Sequence, residues 1–527
     1  MTIIILILIW VAFASWRTLP SKYYAISLYA IGAALILMNT LVSPYIVGSD
    51  VHMEYYIAQR YSGADVWPRT LPSPQATSIV DSVLVPLLPI SLTWTYKLVL
   101  PLLFALTPVL LYYMARKWLE PKRAFLASFI FMAFTSFFME VPTIARQMVA
   151  EVVFVSALYL IFKSTSRHRY YLLLACGALL PLCHYAVAAV AVPLLLIAIF
   201  LDLVLKQKQW KALTILLAGI IIASIAYFPF AEEGAVAQKF AYLYNTFAPP
   251  FLKISFGLAP EVVDNSLAAQ VVGPASWYDT LMRIGMGADF LSTNWVGKAF
   301  RLFQWAFMLL IPIGMLRLRK VKSLLPILVG FAISLAMCII PGWAGMLNIT
   351  RYFHLTLIGL AIPAAVALKP KYLLIILVPY FLLSSGFAFE VTKQPNIETV
   401  TAPYSIGLSN YRMDLGASTT KGDLEVRDYI VEHQLFPIYS DVYGSYLIEE
   451  TIGPQFPEGN VNQVLPKTPE PTTGYVFIRS RNSQDGTLTI WQDIGMRTYR
   501  PFNDYLKTRA TTIFESKGAK VIYVYKE

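Results

Sequence analysis

Apolar runs separated by short polar breaks follow one another from the N-terminus to Phe389. Twelve such runs occupy 2–16, 23–42, 96–115, 124–140, 143–162, 170–182, 185–205, 212–230, 298–316, 323–341, 351–368 and 372–389. About 20 apolar residues in helical form cross a hydrocarbon core of about 30 Å. A helix also satisfies its own backbone there. The sixth and seventh runs come from one stretch, "YYLLLACGALLPLCHYAVAAVAVPLLLIAIFLDLVL", too long for a single crossing, with Pro181 as the expected break. The predicted fold is an α-helical polytopic membrane protein of about twelve spans over 1–389, with long loops at 43–95 and 231–297.

From Glu390 the pattern changes. "LEVRDYIVEH" has helical spacing, "FPIYSD" reads as a short strand and "SYLIEE" as the start of a helix. "GYVFIRS", "TLTIW" and "KVIYVYK" read as strands. Residues 390–527 are expected to form a small soluble α/β or α+β domain.

Composition agrees with the pattern and charge orients it. Only 14% of residues are charged, against roughly 25% in a soluble protein. The formal charge of +11 is not a nucleic-acid signature, because it lies in residues 1–389 while 390–527 hold 14 Lys/Arg and 17 Asp/Glu. Arg17/Lys22 and the loops at 116–123, 163–169, 206–211, 317–322 and 369–371 together carry 18 Lys/Arg and a single acid, Glu120. All fall on one side of a twelve-span alternation. The alternate loops carry eleven of the fourteen acids of 1–389. Positive-inside then places both termini, both long loops and the C-terminal domain outside the cytoplasm. The first run lacks a basic leader region and reads as a retained span. Cys176, Cys183 and Cys338 lie in or beside apolar runs, so no disulfide framework is expected.

Four polar motifs interrupt the outer ends of these spans. "GSDVHMEYY" follows the second. As a helix it stacks Asp50 and Glu54 on one face; as an extended segment it adds His52, giving a candidate divalent-cation set of Asp50, His52 and Glu54 for Mg or Mn. An ordinary capped loop is the bland reading. "MEVPTIARQMVAEVVF" places Glu140 at a turn, then Arg146, Gln147 and Glu151 in the next span. Arg146 is close enough to the interface to snorkel, whereas Glu151 is deep enough to need a partner or an aqueous cavity. "LCHYAV" puts His184 at a turn, where a lone His commonly caps a helix. "NITRYFHLTL" puts Arg351 and His354 on one face, and an Arg fork suits phosphate. In 231–297, "FAPPFLKISFGLAP" and "ASWYDTLMRIGMGADFL" suit short surface helices. In the tail, Asp441 is a candidate acceptor contact or an N-cap, and no nucleophile elbow, P-loop or zinc spacing occurs.

An acid in the first large outer loop, another at the next outer turn, many spans and an outer C-terminal domain resemble the GT-C superfamily of membrane glycosyltransferases. "GSDVHMEYY", "ARQMVAE", "CHYAV" and "RYFHLTL" are similar to an uncharacterised family of archaeal and bacterial polytopic proteins associated with it. The resemblance implies transfer of a sugar from a polyprenyl-phosphate-linked donor to an envelope glycan, lipid or protein at the outer face. It matches the first-loop acid to Asp50, with Glu54 as partner, and the second to Glu140. Asp50 would be the general base, with Glu54 or His52 orienting it or holding a cation. Arg146 and Arg351 would bind the lipid phosphate, with His184 and His354 as further contacts, and Gln147 and Glu151 behind them.

Two departures stand out. The "WWDYG" motif of oligosaccharyltransferases is absent, "SWYD" at 276–279 not being it, and one more span than the common core precedes the catalytic loop. A polymerase or ligase using a lipid-pyrophosphate glycan, and a flippase-type transporter, stay open as alternatives. A flippase would favour midplane polar groups and an internal repeat, and no repeat is evident.

Overall fold

The computed structural model describes residues 1–17, 19–48, 50–61, 90–164, 166–227, 288–291, 294–339, 349–394, 419–452, 461–463, 474–485, 488–492, 495–499 and 510–525. The expected surface helices of 231–287 lie outside the described residues.

Each expected run holds an apolar helix. Seven are long and apolar enough to cross a membrane: Ser21–Thr40 (α2), Leu92–Ala115 (α4), Ala145–Lys163 (α7), Tyr185–Val204 (α9), Trp210–Tyr227 (α10), Trp295–Leu318 (α11) and Ile349–Val366 (α13). Four are shorter: Thr2–Trp16 (α1), Arg169–Cys183 (α8), Leu325–Ala336 (α12) and Pro370–Ser384 (α14). The fourth apolar run, expected to be one span over 124–140, is instead Pro121–Met132 (α5) and Thr135–Thr143 (α6), bent by 72°. Phe134 is extended at the bend, and the Ala133 carbonyl accepts a 2.6 Å hydrogen bond from Ser384 on α14. The break between α8 and α9 falls at extended His184, not at Pro181, which stays inside α8. Asp50–Tyr61 (α3) is a helix of the first long loop.

Prolines start helices where their missing N–H costs nothing, at Pro121 and Pro370. Inside α4, Pro101 cannot donate to the Lys97 carbonyl four residues back. A π turn at Thr95–Val99 adjusts the ladder, and Thr40 of α2 donates to that carbonyl at 3.0 Å. α8 and α10 approach closely at two glycines. A Cβ on Gly177 would stand 2.3 Å from the Leu216 carbonyl, and one on Gly219 2.6 Å from that of Leu174. α13 is central, with nearly every residue buried.

The basic loops meet at one end of the bundle. Lys122 donates to the Trp16 carbonyl at 2.8 Å, Arg123 and Arg317 to the Val366 carbonyl, and Trp118 to Ser323. Cations there satisfy the carbonyls that end α1 and α13. At the opposite end Asn39 donates to the Phe138 carbonyl at 2.7 Å and the buried Lys97 amine to that of Tyr45.

Phe387–Thr392 (α15) follows α14 and packs on the membrane core, and the tail then forms helices Lys421–Glu432 (α16) and Val442–Ile452 (α17) beside a five-stranded mixed sheet. Its strands are Ile438–Ser440 (β1), Val461–Gln463 (β2), Gly474–Ile478 (β3), Ala510–Ser516 (β6) and Ala519–Val524 (β7), in the order β2-β1-β3-β7-β6. β1 runs parallel to β2 and β3, and β7 antiparallel to β3 and β6. Leu488–Gln492 (β4) and Gly495–Tyr499 (β5) form a separate hairpin. Val426 and Ile430 of α16 and Leu447 and Ile448 of α17 pack on Ile438, Phe477 and Val521. The helix-rich membrane part with a small mixed sheet is thus the expected class, while β2, β5 and β6 carry no clear strand pattern in the sequence.

Candidate functional site

The polar cluster is built at the end of the bundle opposite the basic loops, where α3, the α6–α7 turn, the α8–α9 turn and the start of α13 meet. Gly48 leads into α3 at φ +147, and a Cβ there would lie 2.8 Å from that of Thr143. The chain can pass this close to the α6–α7 turn only as glycine. α3 then begins at Asp50, so the motif is helical and Asp50 and Glu54 share a face.

That face meets the start of α7. Ile144 is extended, leaving the first amides of α7 without intrahelical partners. Glu54 Oε2 accepts from the Ala145 N–H at 2.7 Å and from the Arg146 N–H at 3.4 Å. Arg146 turns back over the pair, with Nη2 2.9 Å from Asp50 Oδ2 and Nε 3.3 Å from Glu54 Oε1. The two acids differ in environment. Glu54 is fully buried while the Asp50 side chain is 39% exposed. Burial pushes the Glu54 pKa up to about 8; Arg146 and the two helix amides pull against this, and Asp50 adds to the rise. Glu54 therefore clamps the start of α7, and Asp50, paired with Arg146, is the more exposed carboxylate of the two.

Around Arg146 stand the other candidates. His184 caps α9, its Nδ1 accepting from the Ala186 N–H at 3.2 Å. The ring proton is thereby assigned to Nε2. That nitrogen is buried and has no hydrogen-bond partner among the described residues. His184 lies within electrostatic range of Arg146 and Arg351. Arg351 in turn lies within range of Asp50, Glu140 and Arg146, and donates to Gln147 Oε1 at 3.5 Å. Among the described residues no carboxylate closes an ion pair with it. Glu140 Oε2 accepts from the Thr350 hydroxyl at 2.5 Å, tying the bent α6 to α13.

Deeper in the bundle, Gln147 Nε2 donates to Glu151 Oε1 at 2.9 Å, and His354 Nδ1 faces the same oxygen at 3.6 Å. Glu151 and His354 are fully buried. The His354 ring packs on Phe131 and Phe137 beside Phe134. His354 is therefore a partner of Glu151, not of the two arginines.

Two expectations fail on geometry. The helix turns His52 to the side of α3 opposite the acids, where Nδ1 lies 2.6 Å from Glu450 of α17. With Glu54 spent on the α7 amides and Asp50 on Arg146, Asp50, His52 and Glu54 do not fit one divalent cation. Among the described residues no three His, Cys, Asp or Glu side chains gather to hold one. Asp441 is fully buried and filled by Arg479 Nε and Nη2 at 3.0 and 2.8 Å, Asn482 at 3.0 Å and the Gly444 N–H at 2.8 Å. No lone pair is left for an acceptor. Sequence reading missed Thr350, Tyr185 beside Arg351, and Glu450. Tyr185 and Thr350 adjoin His184 and Arg351 in sequence, which was the available signal.

No family model matches the sequence, and no curated protein matches it. The structure is similar to an oligosaccharyltransferase of Archaeoglobus fulgidus in complex with Zn and sulfate, with 13% identity, 83% of this chain and 62% of that chain covered, and a TM-score of 0.42. The A. fulgidus oligosaccharyltransferase AglB in complex with an inhibitory peptide and a dolichol-phosphate gives 13% identity, 86% and 62% coverage and 0.43. ArnT from Cupriavidus metallidurans bound to undecaprenyl phosphate gives 12% identity, 95% and 97% coverage and 0.33. The chain spans 62% of the length of the first of these.

Proposed function

We propose that this protein transfers a sugar from a polyprenyl-phosphate-linked donor to a hydroxyl of an envelope glycan, lipid or protein, on the face away from the basic loops. Positive-inside makes that face extracytoplasmic. The observation that carries the reading is Arg351: a guanidinium without a carboxylate partner among the described residues, within range of Arg146 and of the unpartnered His184 Nε2. These donors suit a phosphate oxygen group.

A lipid-phosphate sugar carries its own leaving group. The acceptor oxygen attacks the anomeric carbon, the bond from that carbon to the phosphate oxygen breaks, and the electron pair leaves with the lipid phosphate. Asp50 takes the acceptor proton. Arg146, Arg351 and His184 stabilise the charge that develops on the leaving phosphate. Arg146 holds Asp50 while the site is free, and an arriving phosphate draws the guanidinium away and releases the carboxylate. A single displacement inverts the anomeric centre.

The test is transfer in proteoliposomes from a polyprenyl-phosphate sugar. Asp50→Asn should lower kcat by about 10²- to 10⁴-fold, the usual range for a general base, with donor affinity retained. Full transfer by this variant removes Asp50 from the chemistry.

A further inference from the structure

The side of α3 that faces away from the acids is held as firmly as the side that carries them. His52 is two residues from both Asp50 and Glu54, about 200° round the helix. It is buried, and its ring lies parallel to Tyr446 of α17 at a centroid distance of 6.2 Å. Its Nδ1 is 2.6 Å from Glu450 Oε2, and Glu450 Oε1 is 3.9 Å from Arg427 of α16. Tyr443, Tyr446 and Glu450 recur at helical spacing and form one face of α17. Tyr443 packs against the core of the membrane part and carries the Arg479 guanidinium over its ring at 5.3 Å. A second tie joins the two parts at the entrance to this segment, where Ser43 donates to the Thr419 carbonyl at 3.1 Å.

α3 is a short helix held by α7 through Glu54, by α4 through Tyr55, whose hydroxyl lies 2.8 Å from Thr93 Oγ1, and by α17 through His52. Its rotation sets where Asp50 stands against Arg146. A helix that loses one of these holds shifts toward the others, and a displacement of about 1 Å at a reacting group is enough to cost on the order of 10²-fold in rate.

We infer that Glu450 and His52 are positioning residues for Asp50, so that the C-terminal region takes part in the reaction by fixing α3 rather than by touching substrate. This rests on the function proposed above. Glu450 acts through His52, and His52 acts through the helix it sits on. The lipid-phosphate donors on Arg351 and His184 belong to other elements. Loss of the contact therefore lowers turnover and leaves donor recognition in place.

The full chain in proteoliposomes, assayed with a polyprenyl-phosphate sugar, separates the possibilities. Glu450→Leu should lower kcat by about tenfold, in the range of a lost hydrogen bond to a charged group, with donor KM within about twofold. Glu450→Gln keeps an acceptor for the His52 N–H and should recover most of the rate. His52→Phe keeps the stack on Tyr446 and loses the nitrogen. It should match Glu450→Leu without altering the tail, and the double variant should be no slower than either alone. In parallel, hydrogen exchange of the α3 amides should quicken in both single variants while those of α16 hold. Wild-type kcat in His52→Phe, or a kcat and KM loss that Glu450→Gln fails to recover, overturns the positioning role. If the wild-type chain transfers nothing from lipid-phosphate sugars, the proposed function fails. The exchange arm then decides alone, and unchanged α3 protection in His52→Phe overturns the latch.

Discussion

Among the described residues, the buried charged groups of the tail and of the bundle are finished to different degrees. In the tail, Asp441 and Arg479 meet through two hydrogen bonds, and Asn482 and the Gly444 N–H use what remains of the carboxylate. At the end of the bundle opposite the basic loops, Arg146 and the α7 amides hold Asp50 and Glu54, while Arg351 meets no carboxylate among the described residues and His184 Nε2, like Glu151 Oε2 further in, is buried without a partner among them. A buried polar group left unpaired costs stability, so a fold keeps it only where something else completes it. The tail cluster is closed and structural. The bundle cluster is open at His184 Nε2, a donor near guanidinium groups, which is what an anion requires.

The sharpest way to break this comparison is to remove one arginine from each cluster. Arg479→Ala strands the Asp441 carboxylate in the core of the tail and should cost about 3–5 kcal/mol. Thermal unfolding and limited proteolysis of the tail report it. Arg351→Ala should leave unfolding within about 1 kcal/mol of wild type, since no carboxylate among the described residues depends on it. It should weaken donor binding by about 10- to 100-fold, as expected for lost hydrogen bonds to a charged group. Equal destabilisation by both substitutions would mean that the bundle cluster is structural too.

Acidity separates the clusters by sign. Glu54 titrates near 8 in the folded chain against an ordinary 4.5, because it is buried. The folded state keeps a proton that the unfolded chain has released, so this stability is whole below 4.5 and is lost as pH rises through 8. Asp441 runs the other way. Burial raises its pKa, but Arg479, Asn482 and the Gly444 N–H outweigh that and hold it below the ordinary carboxylate value. Its stability is present above the ordinary value of 3.8 and is lost only as acid carries the pH below it. Unfolding of the membrane part should therefore ease from pH 6 to 9, and Glu54→Gln, which cannot ionise, should flatten that slope. A slope unchanged in Glu54→Gln would assign it to another group.

Much of the membrane part was legible because the bilayer leaves few choices. Long apolar runs must be helices, and basic loops mark one end. Asp50, Glu54, Glu140, Arg146, His184 and Arg351 could be assigned to the other end before any geometry, since each sits at a span terminus of the same parity. What was not legible depends on partners far along the chain. His52 looks like a third ligand in "SDVHME" and is turned away by Glu450, 398 residues on. The bend after Met132 has no breaker residue, and the freed Ala133 carbonyl is met by Ser384 on α14. His354 shares a motif with Arg351 but is enclosed by Phe131, Phe134 and Phe137 from the bent segment. Asp441 cannot be told from a ligand-binding acid until Arg479 is seen against it.

The finest distinction between a closed and an open group lies within His184 itself. Its Nδ1 is closed, accepting the Ala186 N–H at the start of α9, whereas its Nε2 is open toward the arginines. His184→Ala removes both functions: about 1 kcal/mol of capping and a neutral donor worth about 0.5–1.5 kcal/mol to a bound phosphate. His184→Asn separates them. Asn is a good N-cap, so α9 should start as before and the unfolding temperature should hold. Its side chain is too short to present a second donor where Nε2 stands, so donor KM should rise by about two- to tenfold with kcat little changed. Donor binding at the wild-type level in His184→Asn would show that Nε2 is completed by something other than the phosphate, and His184 would then belong with Asp441 among the closed groups.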